Sequence, residues 1–260
     1  MDIAIPVRTV PDPVEELEPD PDGTDIDREW TEFVLNEFDE HAIEEAVLLK
    51  ERRDEDDTIT VVALDDGLAD VEQMLYTAAA KGVDRLVRIG EVPAGLSTTQ
   101  AASIFGSYLA DTEFDAVFTG VQSAEDRVGQ LAGMLGEDLD VPHISVITEV
   151  LVEDGRLEVE KEFAGGVTAT YAVETPSVLG IQAASEPPRY VPVSQIRRAM
   201  RGADIEEVDV DDLDRGAGPG SEVVSLHEPE RGEEAEMIGG SPDEASAEIV
   251  EIMGDHGMEV

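Results

Sequence analysis

Apolar residues along this chain come in short dense runs, and between the runs they recur every three or four positions. The dense runs predict strands. Residues 2–7 are β-branched and stop at Pro6 and Pro11; residues 58–64 are almost continuously apolar, as a strand covered on both faces should be. Residues 85–89 and 115–119 repeat that texture. The spaced stretches predict helices. One opens at Asn36, a good N-cap, with Asp39 three positions on, and carries Ala42, Ile43, Ala46, Val47 and Leu49. Others cover residues 71–80, stopped by Gly82, and residues 99–110. A fourth covers residues 128–139, on Val128, Leu131, Leu135 and Leu139, and closes before Pro142. Strands alternating with helices over short connections predict a parallel sheet with helices on both faces.

The texture changes after Pro142. Residues 144–152 and 156–163, joined through Glu153, Asp154 and Gly155, predict a hairpin, and Gly165 and Gly166 turn the chain into a further run at 168–173. An antiparallel meander is therefore expected beside the α/β unit, with another strand at 177–181. Residues 9–27 are acidic and proline-rich and read as a loop with a small hairpin at its tip. Residues 189–200 read as a turn and a helix. From 202 to 240 no period is visible. A stretch that long suits an arm better than a loop inside a compact domain. It ends in a well-signalled helix: Ser241 at the cap, Pro242 after it, Glu244 completing a capping box. Ile249, Val250, Ile252 and Met253 give that helix an apolar face, which needs something to dock on. The expected division is an α/β domain over residues 1–200 and an acidic C-terminal arm over residues 201–260.

Charge adds one constraint. The 260 residues carry a formal net charge of −45, and lysine stands only at Lys50, Lys81 and Lys161. The acids are spread along the whole chain above an ordinary apolar period. That pattern points to a salt-rich solvent, where screening makes self-repulsion tolerable, and away from nucleic acid, which needs a basic patch. The only net-positive cluster is Arg197, Arg198 and Arg201, at the end of a predicted helix, where cations suit the terminus. Cysteine is absent, which excludes disulfides and thiolate metal sites. His41, His143, His227 and His256 lack ligand spacing, so no metal site is expected. The first residues do not read as a signal peptide, and no apolar run approaches the roughly 20 residues of a membrane span, so a cytoplasmic protein without membrane insertion is expected. No nucleophile–base pair stands out, so an independent catalyst is not expected. Glu44 and Glu45 read as a solvated helix face.

Candidate chemistry gathers where the strands end. Ligands of open α/β sheets bind outside the carboxyl ends of the strands. Arg8 to Asp12, Asp65-Asp66-Gly67 and the stretch from Gly120 to Gln130 follow three of them and can converge. Phe118 to Leu135 organises this arrangement: strand, polar loop, then helix, with Gly129, Gly133 and Gly136 near the helix start. Uncovered amides at a helix start suit a phosphate, so a nucleotide phosphate is expected there; the same glycines also let the helix pack closely on the sheet.

Several family-like motifs stand in order along the chain. Asn36, Asp39, Ala42, Glu44 and Ala46 match the first-helix motif. Ala80, Gly82, Asp84 and Arg85 match the next, with Val83 for the usual alanine. Gly120, Gln122, Asp126, Gly129 and Gln130 match a third. Leu157, Val159, Glu162, Gly165 and Gly166 match a fourth, with Lys161 for arginine, and Pro176 and Ser185-Glu186-Pro187-Pro188-Arg189-Tyr190 follow. Together and in this order, these motifs resemble those of the β subunits of electron transfer flavoproteins, and the match runs from residue 2 to about residue 200.

The resemblance implies an adenine nucleotide α-hydrolase-like fold and a heterodimer with an α subunit that holds most of an FAD site. It implies AMP, or a second FAD, in this chain. Carried over, the nucleotide contacts are Pro6, Asn36, Glu37, Phe38, Asp39, Asp66, Gln122, Asp126, Arg127, Val128, Gly129 and Gln130. It implies electron flow from dehydrogenases, such as acyl-CoA dehydrogenases, to an ETF-quinone oxidoreductase. Docking falls to Tyr190, Val193 and Ile196, with Glu162 towards the flavin domain of the α subunit. Val193 stands where the family has a leucine anchor. The rival expectation is a stand-alone adenine-nucleotide sensor of universal-stress type, against which the hairpin, the Arg189-Tyr190 segment and the tail all speak. An adenylating enzyme would need a phosphate loop at Arg8 to Asp12, which is not one.

Overall fold

Successive side chains of the first strand, β1 (Asp2–Val7), point to opposite faces of the sheet, and both faces are covered. Ile3, Ile5 and Val7 join one apolar cluster and Ala4 joins the other. In the computed structural model, residues 1–15, 17–53, 55–213, 223–227 and 237–257 are described. They fall into two units, residues 1–226 and residues 227–260.

In the first unit β1 is followed by β2 (Thr9–Pro11), β3 (Phe33–Leu35), α1 (Glu37–Arg53), β4 (Thr58–Leu64), α2 (Val71–Lys81), β5 (Arg85–Gly90), α3 (Thr98–Ala110) and β6 (Ala116–Gly120). Then come α4 (Leu131–Asp138), β7 (His143–Glu153), β8 (Arg156–Phe163), β9 (Val167–Val173), β10 (Ser177–Ile181), α5 (Val193–Ala199) and β11 (Ile205–Asp209), with a short 3-10 turn, Val210–Asp212, after it. The order across the nine-stranded sheet is β11-β5-β4-β1-β6-β10-β7-β8-β9. From β11 to β7 the pairing is parallel; β8 and β9 are antiparallel additions. A separate two-stranded antiparallel sheet joins β2 to β3, and Pro19 and Ile26 bridge the tip of the intervening loop. Helices α1 and α2 contribute to the cluster on one face, α3 and α4 to that on the other. The expected α/β architecture, parallel sheet with helices on both faces, is the one found.

Three local expectations change. Helix α4 begins at Leu131, three residues later than its apolar period implies, and Val128 is 81% exposed. The reason is the turn before it, where Gly129 holds a left-handed φ of +72°. Strand β10 is not a continuation of the meander: it inserts in parallel between β6 and β7. The boundary at residue 200 also moves, because β11 pairs with β5 at the sheet edge. Its alternation of Ile205 and Val208 with acids is short, but Glu206 and Glu207 meet Arg85 (3.1 Å) and Arg88 (3.4 Å) on the neighbouring strand. Of the stretch expected to form an arm, residues 214–222, 228–236 and 258–260 lie outside the described residues.

In the second unit α6 (Pro242–Asp255) carries the full capping box: Ser241 Oγ accepts from the Glu244 amide, and Glu244 accepts from the Ser241 amide at 2.8 Å. Its Ile249, Val250 and Ile252 are exposed.

Candidate functional site

The carboxyl ends of β1 and β6 lie side by side, and the first turn of α1 closes over them. Asp39, 2% exposed, joins the three. Arg8 donates its amide N–H to Asp39 Oδ2 (2.9 Å) and Gly120 donates its own to Oδ1 (3.1 Å). Burial pushes the Asp39 carboxyl up to about 6, against the charge of Arg8 and these amide donors, which favour the ionised form. Asn36 completes the knot. Its amide N–H goes to the Arg8 carbonyl (3.1 Å), and Nδ2 donates to the Gln122 carbonyl (2.9 Å). Asn36 sits at the position expected of a cap, and its side chain reaches the loop after β6. Gly120 is required by close approach: a Cβ there would collide with Asp39 Oδ1 and lie 2.8 Å from the Phe38 carbonyl carbon.

The loop from Ser123 to Leu131 is closed by its own groups. Asp126, buried, accepts from the Gln130 amide through both oxygens (3.0 and 2.8 Å) and from the Leu131 amide through Oδ2 (3.0 Å). Its carbonyl accepts from Gly129 (3.1 Å), and its amide donates to Ser123 Oγ (3.0 Å). Of the amides that the sequence offers to a ligand anion, Gln130's is thus engaged by an internal carboxylate and Gly129's by a backbone carbonyl. A negative charge at a helix start is favourable whichever molecule supplies it.

Arg8, which the sequence places at the start of a converging segment but not among the expected contacts, sits at the centre. It is 7% exposed, in a chain where most cations reach solvent. Nη2 donates to Ser123 Oγ (2.9 Å), and Nη1 is buried with no acceptor among the described residues. Arg8 lines a small cleft whose walls are Leu64, Val92, Pro93, Leu96 and Ala101 and whose acidic members are Asp66 and Glu125. Desolvation raises the Glu125 carboxyl above its ordinary range, opposed by Arg8 and Arg28. The available signal was position: Arg8 is the cation directly after β1.

The other expected contacts are distributed around this centre. Pro6 is buried in β1, opposite Val62 of β4. Phe38 is partly buried beside Gly120 and Glu37 is exposed; Asp66 lines the cleft and accepts from the Leu68 amide (3.1 Å). Arg127 and the side chains of Gln122 and Gln130 face solvent, as Val128 does. The residues brought together are Asn36, Asp39, Gln122 and Asp126, with Arg8 and Ser123.

A second constellation lies further along α1. Glu44 and Glu45 are 2% and 0% exposed, so the solvated face expected there is corrected: residues 184–189 cover it. Glu44 accepts from the Arg189 amide (3.0 Å) and Nε (2.8 Å), and Glu51 takes Arg189 Nη1 and Nη2 (2.7 and 3.0 Å). These carboxylates hold the guanidinium above its ordinary range, Glu51 first. Glu45 accepts from Ser185 (amide, 2.7 Å) and Val150 (amide, 2.8 Å), and the Ala184 amide donates to His41 Nδ1 (3.1 Å). The segment emerging from this clamp displays Tyr190, 85% exposed, and then α5, with Val193 exposed and Ile196 partly buried. Glu162 is exposed on β8. Arg197, Arg198 and Arg201 are exposed on and just after α5.

Among the described residues no group of three or more His, Cys, Asp or Glu is arranged to hold a metal ion, and no helix is long and apolar enough to cross a membrane. The cleft thus sets apolar walls beside two carboxylates and a buried arginine nitrogen that has no acceptor among the described residues, a donor suited to an anionic oxygen.

The model of the electron transfer flavoprotein domain matches residues 25–213. The electron transfer flavoprotein subunit beta of Methylophilus methylotrophus is 31% identical over 264 residues, covering 98% of both chains. Those of Bacillus subtilis (strain 168) and Homo sapiens are 31% and 28% identical, covering 88% and 87% of this chain and 88% of each relative. With a family match over most of its length and relatives that align nearly end to end, this chain belongs to the electron transfer flavoprotein family, in the line of its beta subunits.

Proposed function

We propose that this chain is the β half of a flavin-carrying electron shuttle, paired one to one with an α subunit that holds most of an FAD. The observation that carries this reading is the near end-to-end correspondence with a named beta subunit. FAD, once bound, supplies the electron chemistry; the protein positions it and tunes its surroundings. Among the described residues the sheet ends at β9, an edge beside which Phe163, Val167 and Tyr171 are exposed, and this supports a large protein partner on that side. The exposed apolar face of α6 supports a second grip on the same partner.

In this reading the cleft beside Arg8 holds AMP, or the AMP half of a second FAD, contacted by the strand-end loops and the first turn of α1. Tyr190, Val193 and Ile196 dock the electron donor, a dehydrogenase such as an acyl-CoA dehydrogenase, and a membrane quinone reductase takes the electrons onward. The complex works in a salt-rich cytoplasm.

Co-expression with the α subunit tests the reading. A yellow 1:1 complex is expected, reducible by an acyl-CoA dehydrogenase and its substrate, and yielding AMP or extra FAD on extraction. A colourless monomer that binds ATP would instead mark a stand-alone nucleotide sensor.

A further inference from the structure

We infer that Arg8, through Nη1, is the residue that grips the phosphate of the adenosine 5′-phosphate group in this cleft. The inference rests on the nucleotide reading above and names the atom behind it.

Three observations converge. The amides of Gly129, Gln130 and Leu131 are engaged by Asp126, so they are not open to a ligand phosphate. Among the described residues Arg8 is the one cation lining the cleft, and it is more than nine-tenths buried with one nitrogen lacking an acceptor among them. A buried guanidinium N–H left unpaired is costly, and a phosphate oxygen is its best-matched acceptor. The direction of that nitrogen is also fixed. Arg8 is held by its amide on Asp39, by its carbonyl on Asn36 and by Nη2 on Ser123. The nearby Arg28 is committed elsewhere: it forks onto Asp25 (2.7 and 3.1 Å) and lies over the Phe33 ring.

The surroundings sharpen the point. Asp66 and Glu125 belong to the same cleft, so an anion enters only where a cation offsets them. Leu64, Val92 and Leu96 offer apolar surface to a flat base. AMP and the AMP half of FAD share the group that Arg8 would hold, and the test separates them.

The full-length chain, co-purified with its α partner and dialysed free of nucleotide, is titrated calorimetrically with AMP, adenosine and FAD. Wild type is expected to bind AMP or FAD more tightly than adenosine; which of the two binds tighter identifies the resident nucleotide. Arg8→Gln is expected to weaken that ligand by about tenfold to a hundredfold while adenosine changes by about twofold or less. Arg8→Lys, a compact charge without the fork, should fall between. Equal losses for nucleotide and adenosine, or no loss for either, overturn the inference and leave the nucleotide reading standing. Wild type binding none of the three overturns both. If circular dichroism shows Arg8→Gln unfolded, wild type and Arg8→Lys still decide: the preference over adenosine should be smaller in Arg8→Lys, and an unchanged preference rejects the role.

Discussion

Asp39 Oδ2 lies 2.9 Å from the backbone nitrogen of Arg8, and this bond ties the first turn of α1 to the end of β1 through a carboxyl group that water scarcely reaches. Its protonation therefore couples to folding. The folded value is raised from 3.8 to about 6, so between those values the folded chain keeps a proton that the unfolded chain has lost. The stabilisation from that proton is full below the unfolded value and disappears as pH rises through about 6. Wild type should lose about 3 kcal/mol relative to Asp39→Asn between about pH 4 and about pH 7. Urea unfolding of both proteins across that range, at fixed salt, measures the difference; parallel profiles would refute it.

Gly120 faces the same carboxylate. Gly120→Ala places a methyl group against Asp39 Oδ1 and the Phe38 backbone, neither of which is a free side-chain end. The expected cost is about 1–3 kcal/mol, a melting temperature lower by several degrees, with nucleotide affinity falling too. A variant with unchanged melting and binding would show that the strand end has room to move.

Asp126 caps α4 from four and five residues back. Asp126→Ala removes the acceptor for two helix-start amides and should cost about 0.5–2 kcal/mol. The local signature is faster amide hydrogen exchange at Gln130 and Leu131, with α3 unaffected.

Losing Arg189 and losing its exposed partner should differ sharply. Arg189→Ala strands Glu44, buried, and is expected to cost about 3–5 kcal/mol. Glu51→Ala removes the exposed partner and should cost about 1 kcal/mol or less. Denaturation midpoints that ranked the pair the other way would place the clamp's energy at the surface.

A net charge of −45 predicts that the isolated chain needs salt to stay folded. At about 1 M potassium chloride the screening length shrinks to roughly 3 Å. Circular dichroism during dialysis into dilute buffer should show progressive loss of structure; an unchanged spectrum there would count against a salt-rich setting.

What the chain discloses by itself follows from the range of each interaction. Strands β1, β4, β5 and β6 are legible because sheets covered on both faces need apolar residues at successive positions. The capping box of α6 is legible because Ser241 and Glu244 are three residues apart. Strand β11 was hidden, since Glu206 and Glu207 look unsuited to a sheet until Arg85 and Arg88 stand beside them. Glu44 and Glu45 were misread for the same reason: their partners lie about 140 residues further on. Val128 keeps helical spacing yet stays outside the helix, because a positive φ at Gly129 outweighs periodicity. The convergence of strand ends was readable from topology, whereas the burial of Arg8 depends on Ser123, 115 residues away.

Helix α1 holds the strand ends through Asn36 and Asp39 and the Tyr190 segment through His41, Glu44, Glu45 and Glu51. One rod thus serves as the common axle of two surfaces that the chain's order keeps far apart. A sideways slip at either end is felt at the other, so the strand-end cleft and the Tyr190 segment can be remodelled only by changes that leave this axle seated.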